Sequence, residues 1–126
     1  MFSILTVDDE VDICKMIASF LKPKGYDVRI SNSGEKALEM IADERPDVIL
    51  MDLNMPGMGG ETTLKEIKKY YSDLPVVMVT VIDNEKKAIE LLDEGASDYI
   101  TKPINFNYLQ KIISSLESIC NKDLPV

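Results

Sequence analysis

Acidic side chains fall directly after two apolar runs. Leu5-Thr6-Val7 meets Asp8-Asp9-Glu10, and Val48-Ile49-Leu50-Met51 meets Asp52 before the turn Leu53-Asn54-Met55-Pro56-Gly57-Met58-Gly59-Gly60. A buried carboxylate is costly unless something pairs with it or uses its charge. Carboxylates that converge repel one another and raise each other's pKa, a conflict that a divalent cation removes. Few ligands, all of them oxygen, suit Mg²⁺, which keeps several waters and is often completed by a phosphate. Helix capping and dipole complementation also account for an acid after the first run. One acid meets that need, however, and a cap does not explain Asp52. Two further runs end in polar groups: a hydroxyl at Val79-Thr80, and an ammonium in Asp98-Tyr99-Ile100-Thr101-Lys102-Pro103. Singly, a strand-end threonine and a solvated loop lysine are ordinary. Together with a carboxylate and a metal they are the parts for phosphoryl transfer, where catalysis is mostly positioning and charge neutralisation.

The elements that must bring these groups together alternate along the chain. Apolar runs predict strands over Phe2–Val7, Asp27–Ile30, Val48–Met51, Val76–Thr80 and Ser97–Ile100. Amphipathic spacing predicts helices over Val11–Leu21, Glu35–Ala42, Glu61–Tyr71, Glu85–Glu94 and Phe106–Cys120, with Leu109, Ile112, Ile113, Leu116 and Ile119 on one face of the last. Ser33 is placed to cap the second helix and Gly95 to close the fourth. Five strand–helix units imply right-handed crossovers and a doubly wound α/β fold, a parallel sheet covered on both faces. With the flavodoxin-like strand order 2-1-3-4-5, the ligand crevice lies at the carboxyl ends of strands one and three. Asp8, Asp9 and Asp52 would meet there.

The bulk numbers narrow the function. The chain has 126 residues, 45% of them hydrophobic and 29% charged, with a net charge of -8 and no histidine. That is one globular domain. Its acidic balance argues against direct binding of nucleic acid or of anionic membranes, and histidine catalysis and ligation are excluded. The N-terminus lacks a basic region and turns acidic at once, so it reads as neither signal peptide nor membrane span, and a cytoplasmic location is expected. Cys14 and Cys120 lie on apolar helix faces and are expected to be free, since an offset of roughly 15 Å along two parallel helices exceeds disulfide reach.

Four motifs in order carry a resemblance that covers nearly the whole chain: LTVDDE at 5–10, ILMDLNMPGMGG at 49–60, VT at 79–80 and GASDYITKP at 95–103. The chain resembles the receiver domains of two-component response regulators. The resemblance implies that Asp52 accepts a phosphoryl group from a sensor histidine kinase or phosphotransfer protein. Asp9, Asp52 and the Asn54 carbonyl would ligate Mg²⁺, with Asp8 acting through water. Lys102 would pair with a phosphoryl oxygen and its bond to Pro103 would be cis. Backbone groups of Val81 and Asn54 would lie against the phosphoryl group. Thr80 would swing toward it as Tyr99 turns inward, a local charge event that biases a two-state element.

The same resemblance implies a signalling switch that assists its own phosphorylation and dephosphorylation rather than an enzyme. It would act on a downstream effector or an output domain missing from this chain. A phosphorylation-dependent dimer through the fourth helix, fifth strand and fifth helix is a further expectation. Residues 1–121 would form the domain and 122–126 a tail. Two departures stand out: Val81 replaces a very small residue, and Gly59 stands where an acid is common. Asn54 and Ile82 would flank the path of the hydrolytic water. Ile82 offers it no polar atom, so slow loss of phosphate is expected, quickened by Ile82→Glu with Val81→Ala. The alternative on this fold is a phosphorylation-independent pseudo-receiver docking module, against which the set Asp8, Asp9, Asp52, Thr80 and Lys102 argues. A flavodoxin-type carrier lacks its phosphate loop here, and a dehalogenase-like phosphatase lacks its Asp-x-Asp pair and cap.

Overall fold

A computed structural model of the protein describes residues 1–81 and 85–122, the last three as backbone. The order is β1 (Ser3–Val7), α1 (Val11–Leu21), a 3₁₀ turn (Lys22–Lys24), β2 (Asp27–Ser31), α2 (Gly34–Asp43), β3 (Val48–Asp52), α3 (Gly60–Tyr70), β4 (Val76–Thr80), α4 (Glu85–Asp93), β5 (Asp98–Thr101) and α5 (Phe106–Lys122). All strands pair in parallel in the order β2-β1-β3-β4-β5, as the alternation of apolar runs and helical patterns requires.

Each strand feeds two cores by its two-residue period. Val48, Leu50, Val77 and Val79 face α1 and α5, where Ile17, Leu21, Leu109 and Ile113 meet them. Ile49, Met51, Val76 and Met78 face Ala37 and Ile41 of α2, Leu64 and Ile67 of α3, and Leu91 of α4. β3 and β4 are buried along their whole length, which is why their sequences read as unbroken apolar runs.

Local signals fix several ends. The Ser33 hydroxyl accepts the Lys36 N–H at 3.1 Å, and Gly95, at φ 112°, closes α4. Other ends differ from expectation. Ser97 precedes β5, which instead takes in Thr101, because the ladder with β4 runs on to the pair Thr80–Thr101. Phe2 lies outside β1 and packs on the core beside Tyr26. The 3₁₀ turn was not legible, since Pro23 and the Gly25 cap read as a plain stop. Ile119 is exposed rather than on the buried face. At 17 residues, α5 is about 25 Å long and outruns five-residue strands of about 17 Å. Cys14 is buried and free; the Cys120 side chain lies outside the described residues.

The end of β3 is fitted tightly to α3. A Cβ at Gly60 would lie 2.0 Å from the Asp52 carbonyl oxygen and 2.7 Å from the Leu53 Cα. Backbone would have to move, so Gly60→Ala is expected to cost roughly 1–3 kcal/mol. Urea unfolding measures this, and a midpoint unchanged from the parent would contradict the tight fit.

Candidate phosphoacceptor site

β1 and β3 are neighbours, so their carboxyl ends deliver Asp8 and Asp52 to one crevice. Asp8 is 3% exposed and Asp52 4%, whereas Asp9 points to solvent. Both oxygens of Asp8 are engaged. One accepts the Glu10 N–H at 2.9 Å, and the other accepts a bond from the Lys102 ammonium at 2.9 Å. Beneath it, the Cys14 thiol points at the Asp8 carbonyl at 3.7 Å, and burial followed by the Asp8 charge pushes that thiol up to about 11.

β5 ends beside β4 and sends Lys102 back over the crevice. Its N–H donates to the Thr80 carbonyl at 2.8 Å, and its peptide bond to Pro103 is cis. The ammonium lies 3.3 Å from Asp52 and 3.7 Å from Glu10. Burial opposes its charge, but the bond to Asp8 and the Asp52 carboxylate outweigh burial and hold Lys102 above its ordinary value. For Asp52 the balance runs the other way. Burial and then the Asp8 charge raise its carboxyl from 3.8 to about 6, against the pull of Lys102 and of the Asn54 N–H. A carboxylate with such a value is mostly ionised at neutral pH yet more basic than an exposed one.

The remaining predicted residues line the rim. Asp52 pairs with Val79, which puts Thr80 one step beyond the carboxylate. The Thr80 hydroxyl is buried and has no hydrogen-bond partner among the described residues. Such an orphan is costly and marks a group awaiting a partner. The Val81 side chain is 66% exposed and leaves the crevice. Ile82 lies outside the described residues. Tyr99 is already half-buried against the core formed by α2, α3 and α4. Asn54 is exposed.

Among the described residues, carboxylate oxygens of Asp8, Asp9 and Asp52 lie within 4.8 Å of one another. Three hard, anionic oxygen donors around one point fit Mg²⁺. Sequence reasoning found each of these groups. It did not pair Lys102 with Asp8, Glu10 and Asp52, which lie far from it in the chain.

The family model described as "Response regulator receiver domain" matches residues 4–114. The transcriptional regulatory protein ZraR of Escherichia coli (strain K12) is 40% identical over 107 residues, covering 85% of this chain and 24% of that protein. The regulatory protein AtoC of Escherichia coli (strain K12) is 37% identical over 110 residues, 87% of this chain and 24% of its own length. The chain thus spans about a quarter of these relatives. Among solved structures, the Francisella response regulator 1452 receiver domain matches with a TM-score of 0.90 at 29% identity, over 95% of this chain and 99% of that one. The receiver domain of NtrX from Brucella abortus matches at 0.85 and 35%, over 90% and 96%. The match of motif, fold and converging carboxylates places this chain in the response regulator receiver domain family.

Proposed function

We propose that Asp52 is the phosphoacceptor of a two-component phosphorelay. One of its carboxylate oxygens attacks the phosphorus of a donor, the phosphorus–leaving-atom bond breaks toward the donor, and an acyl phosphate forms on Asp52. The carrying observation is the Lys102 ammonium set between Asp8 at 2.9 Å and Asp52 at 3.3 Å in a crevice that excludes most water. Lys102 can follow the charge from carboxylate to phosphoryl oxygen without leaving its place, which is how preorganised electrostatics lower a barrier. Asp8, Asp9, Asp52 and the Asn54 carbonyl would hold Mg²⁺, with Asp8 acting through water. When bound, the ion neutralises charge on the carboxylates and on the incoming phosphoryl oxygens.

The Thr80 hydroxyl, without a hydrogen-bond partner among the described residues, is the group to close on the new phosphoryl oxygens, with the Val81 N–H beside it. Tyr99 packs inward as Thr80 moves. The donor is a sensor histidine kinase or phosphotransfer protein. The receiver of the signal is an effector or an output domain such as the rest of the longer relatives supplies. A dimer through α4, β5 and α5 fits the exposed Ile89, Leu92 and Tyr108 on those helices. The domain is a cytoplasmic switch that assists its own phosphorylation and dephosphorylation, not an enzyme with a separate substrate. Among the described residues, no helix is long and apolar enough to cross a membrane.

Peptide mapping after labelling with acetyl phosphate and Mg²⁺ tests the reading, with the adduct expected on the peptide that holds Asp52. An adduct elsewhere, or labelling indifferent to Mg²⁺, would refute it. Phosphate loss is expected to be slow and to quicken in the Ile82→Glu, Val81→Ala variant, since a side chain that orients the attacking water can be worth about 10²-fold or more. Decay no faster than the parent's would exclude control at those two positions.

A further inference from the structure

The segment between β3 and α3 carries Asn54, and its peptide groups must be oriented for any role in the crevice. Two of its residues, Gly57 and Gly59, hold positive φ of 77° and 75°, so the chain there has unusual conformational freedom. Its base is closed by hydrogen bonds to two backbone carbonyls. The Gly60 N–H donates to the Leu53 carbonyl at 2.9 Å, and the Thr63 hydroxyl donates to the Gly59 carbonyl at 2.6 Å. The buried Met55 side chain anchors one side. The other side is held from a different helix. Glu35, in the first turn of α2, accepts the Met58 N–H on Oε1 at 3.0 Å. The same oxygen lies 3.1 Å from where a Cβ on Gly57 would stand, so the carboxylate rests against a backbone only glycine leaves open. Next to it Gly34 abuts Thr63, whose hydroxyl would be 2.0 Å from a Cβ there. The start of α2 thus grips both the start of α3 and the tip of the intervening loop.

We infer that Glu35 is a positioning residue for the Mg²⁺ site: its bond to Met58 fixes the loop that orients Asn54 toward Asp52. The inference rests on the reading of Asp8, Asp9, Asp52 and Asn54 as the metal ligands. Glu35 touches none of them and acts only through the loop. Ordering the loop in advance removes an entropic cost that metal binding would otherwise carry. Nothing in the local sequence suggests the link, because Glu35 and Met58 are 23 residues apart and a first-turn glutamate is ordinarily a dipole partner.

Calorimetric titration of the intact chain with Mg²⁺ tests it, beside amide exchange at Met58. Losing one side-chain-to-backbone hydrogen bond predicts about a three- to tenfold weaker Mg²⁺ affinity in Glu35→Ala, together with faster exchange at Met58. Glu35→Gln keeps an oxygen to accept the bond and is expected to recover most of the affinity. Glu39→Ala removes a charge one turn later in α2 and is expected to bind like the parent. A Glu35→Ala chain that binds Mg²⁺ like the parent overturns the inference alone. So does a Glu35→Gln chain as weak as Glu35→Ala, since charge rather than loop position would then be responsible. A parent chain that binds no Mg²⁺ overturns the metal reading itself and this inference with it.

Discussion

Incubated with acetyl phosphate and Mg²⁺, the parent chain is expected to gain one phosphoryl group, and the Asp52→Ala chain none. Neighbouring carboxylates are poor substitutes for distinct physical reasons. Both oxygens of Asp8 are already committed, to the Glu10 N–H and to Lys102, each at 2.9 Å. Asp9 is exposed, and solvation weakens a carboxylate as a nucleophile. Asp52 is buried, paired only partly, and raised to about 6, so it keeps reactivity that a typical carboxylate lacks. At limiting Mg²⁺, labelling is therefore expected to fall as the pH drops below about 6, because the protonated acid neither attacks nor binds a cation. Asp9→Ala is expected to lose Mg²⁺ affinity and labelling together. Intact-mass analysis decides the matter, and stoichiometric adduct on Asp52→Ala would show that another group is the acceptor.

Removing the ammonium should produce the largest change in stability. Without Mg²⁺ at pH 7.5, Lys102→Met is expected to lose roughly 3–5 kcal/mol, the usual result when one partner of a buried ion pair is deleted. Two carboxylates that are nearly inaccessible, at 3% and 5% side-chain exposure, would be left facing each other. The sign of the pH dependence follows from Asp52. Its folded pKa lies above the unfolded value, so the folded state holds the proton more tightly. Stability is full below the unfolded 3.8 and falls as the pH rises through about 6. Lys102 offsets part of that fall, so its removal should steepen it. At pH 5 Asp52 is mostly protonated, and the loss in Lys102→Met should shrink. Saturating Mg²⁺ at pH 7.5 should restore most of the difference, since the cation takes over the missing charge. Urea unfolding at the two pH values, with and without Mg²⁺, provides the measurement. An equal loss at pH 5 and 7.5 would mean that Lys102 acts by packing rather than by charge.

Whatever repeats locally was legible in the sequence. The two-residue period of Val48–Met51 and Val76–Val79 sets which side chains enter which core, and the order of apolar runs and amphipathic helices implies a parallel sheet. Because strand ends in such a sheet share one edge, the sequence also determined that Asp8, Asp52, Thr80 and Lys102 would gather there. It determined the helix caps at Ser33 and Gly95, which depend only on neighbours along the chain. The tertiary structure alone decided how those groups pair. Lys102 reaches Asp8 from 94 positions away, and nothing in either segment says that the ammonium would sit between Asp8 and Asp52 rather than in solvent. The length of α5 relative to the sheet left Ile119 exposed on a face whose pattern reads as buried. The bond from Met58 to Glu35 depends on how α2 and α3 lie against each other, which Gly34 and Thr63 set by close approach. Periodicity is a property of consecutive residues. Distances between strand ends, helix starts and loop tips arise only when register and packing bring remote segments together.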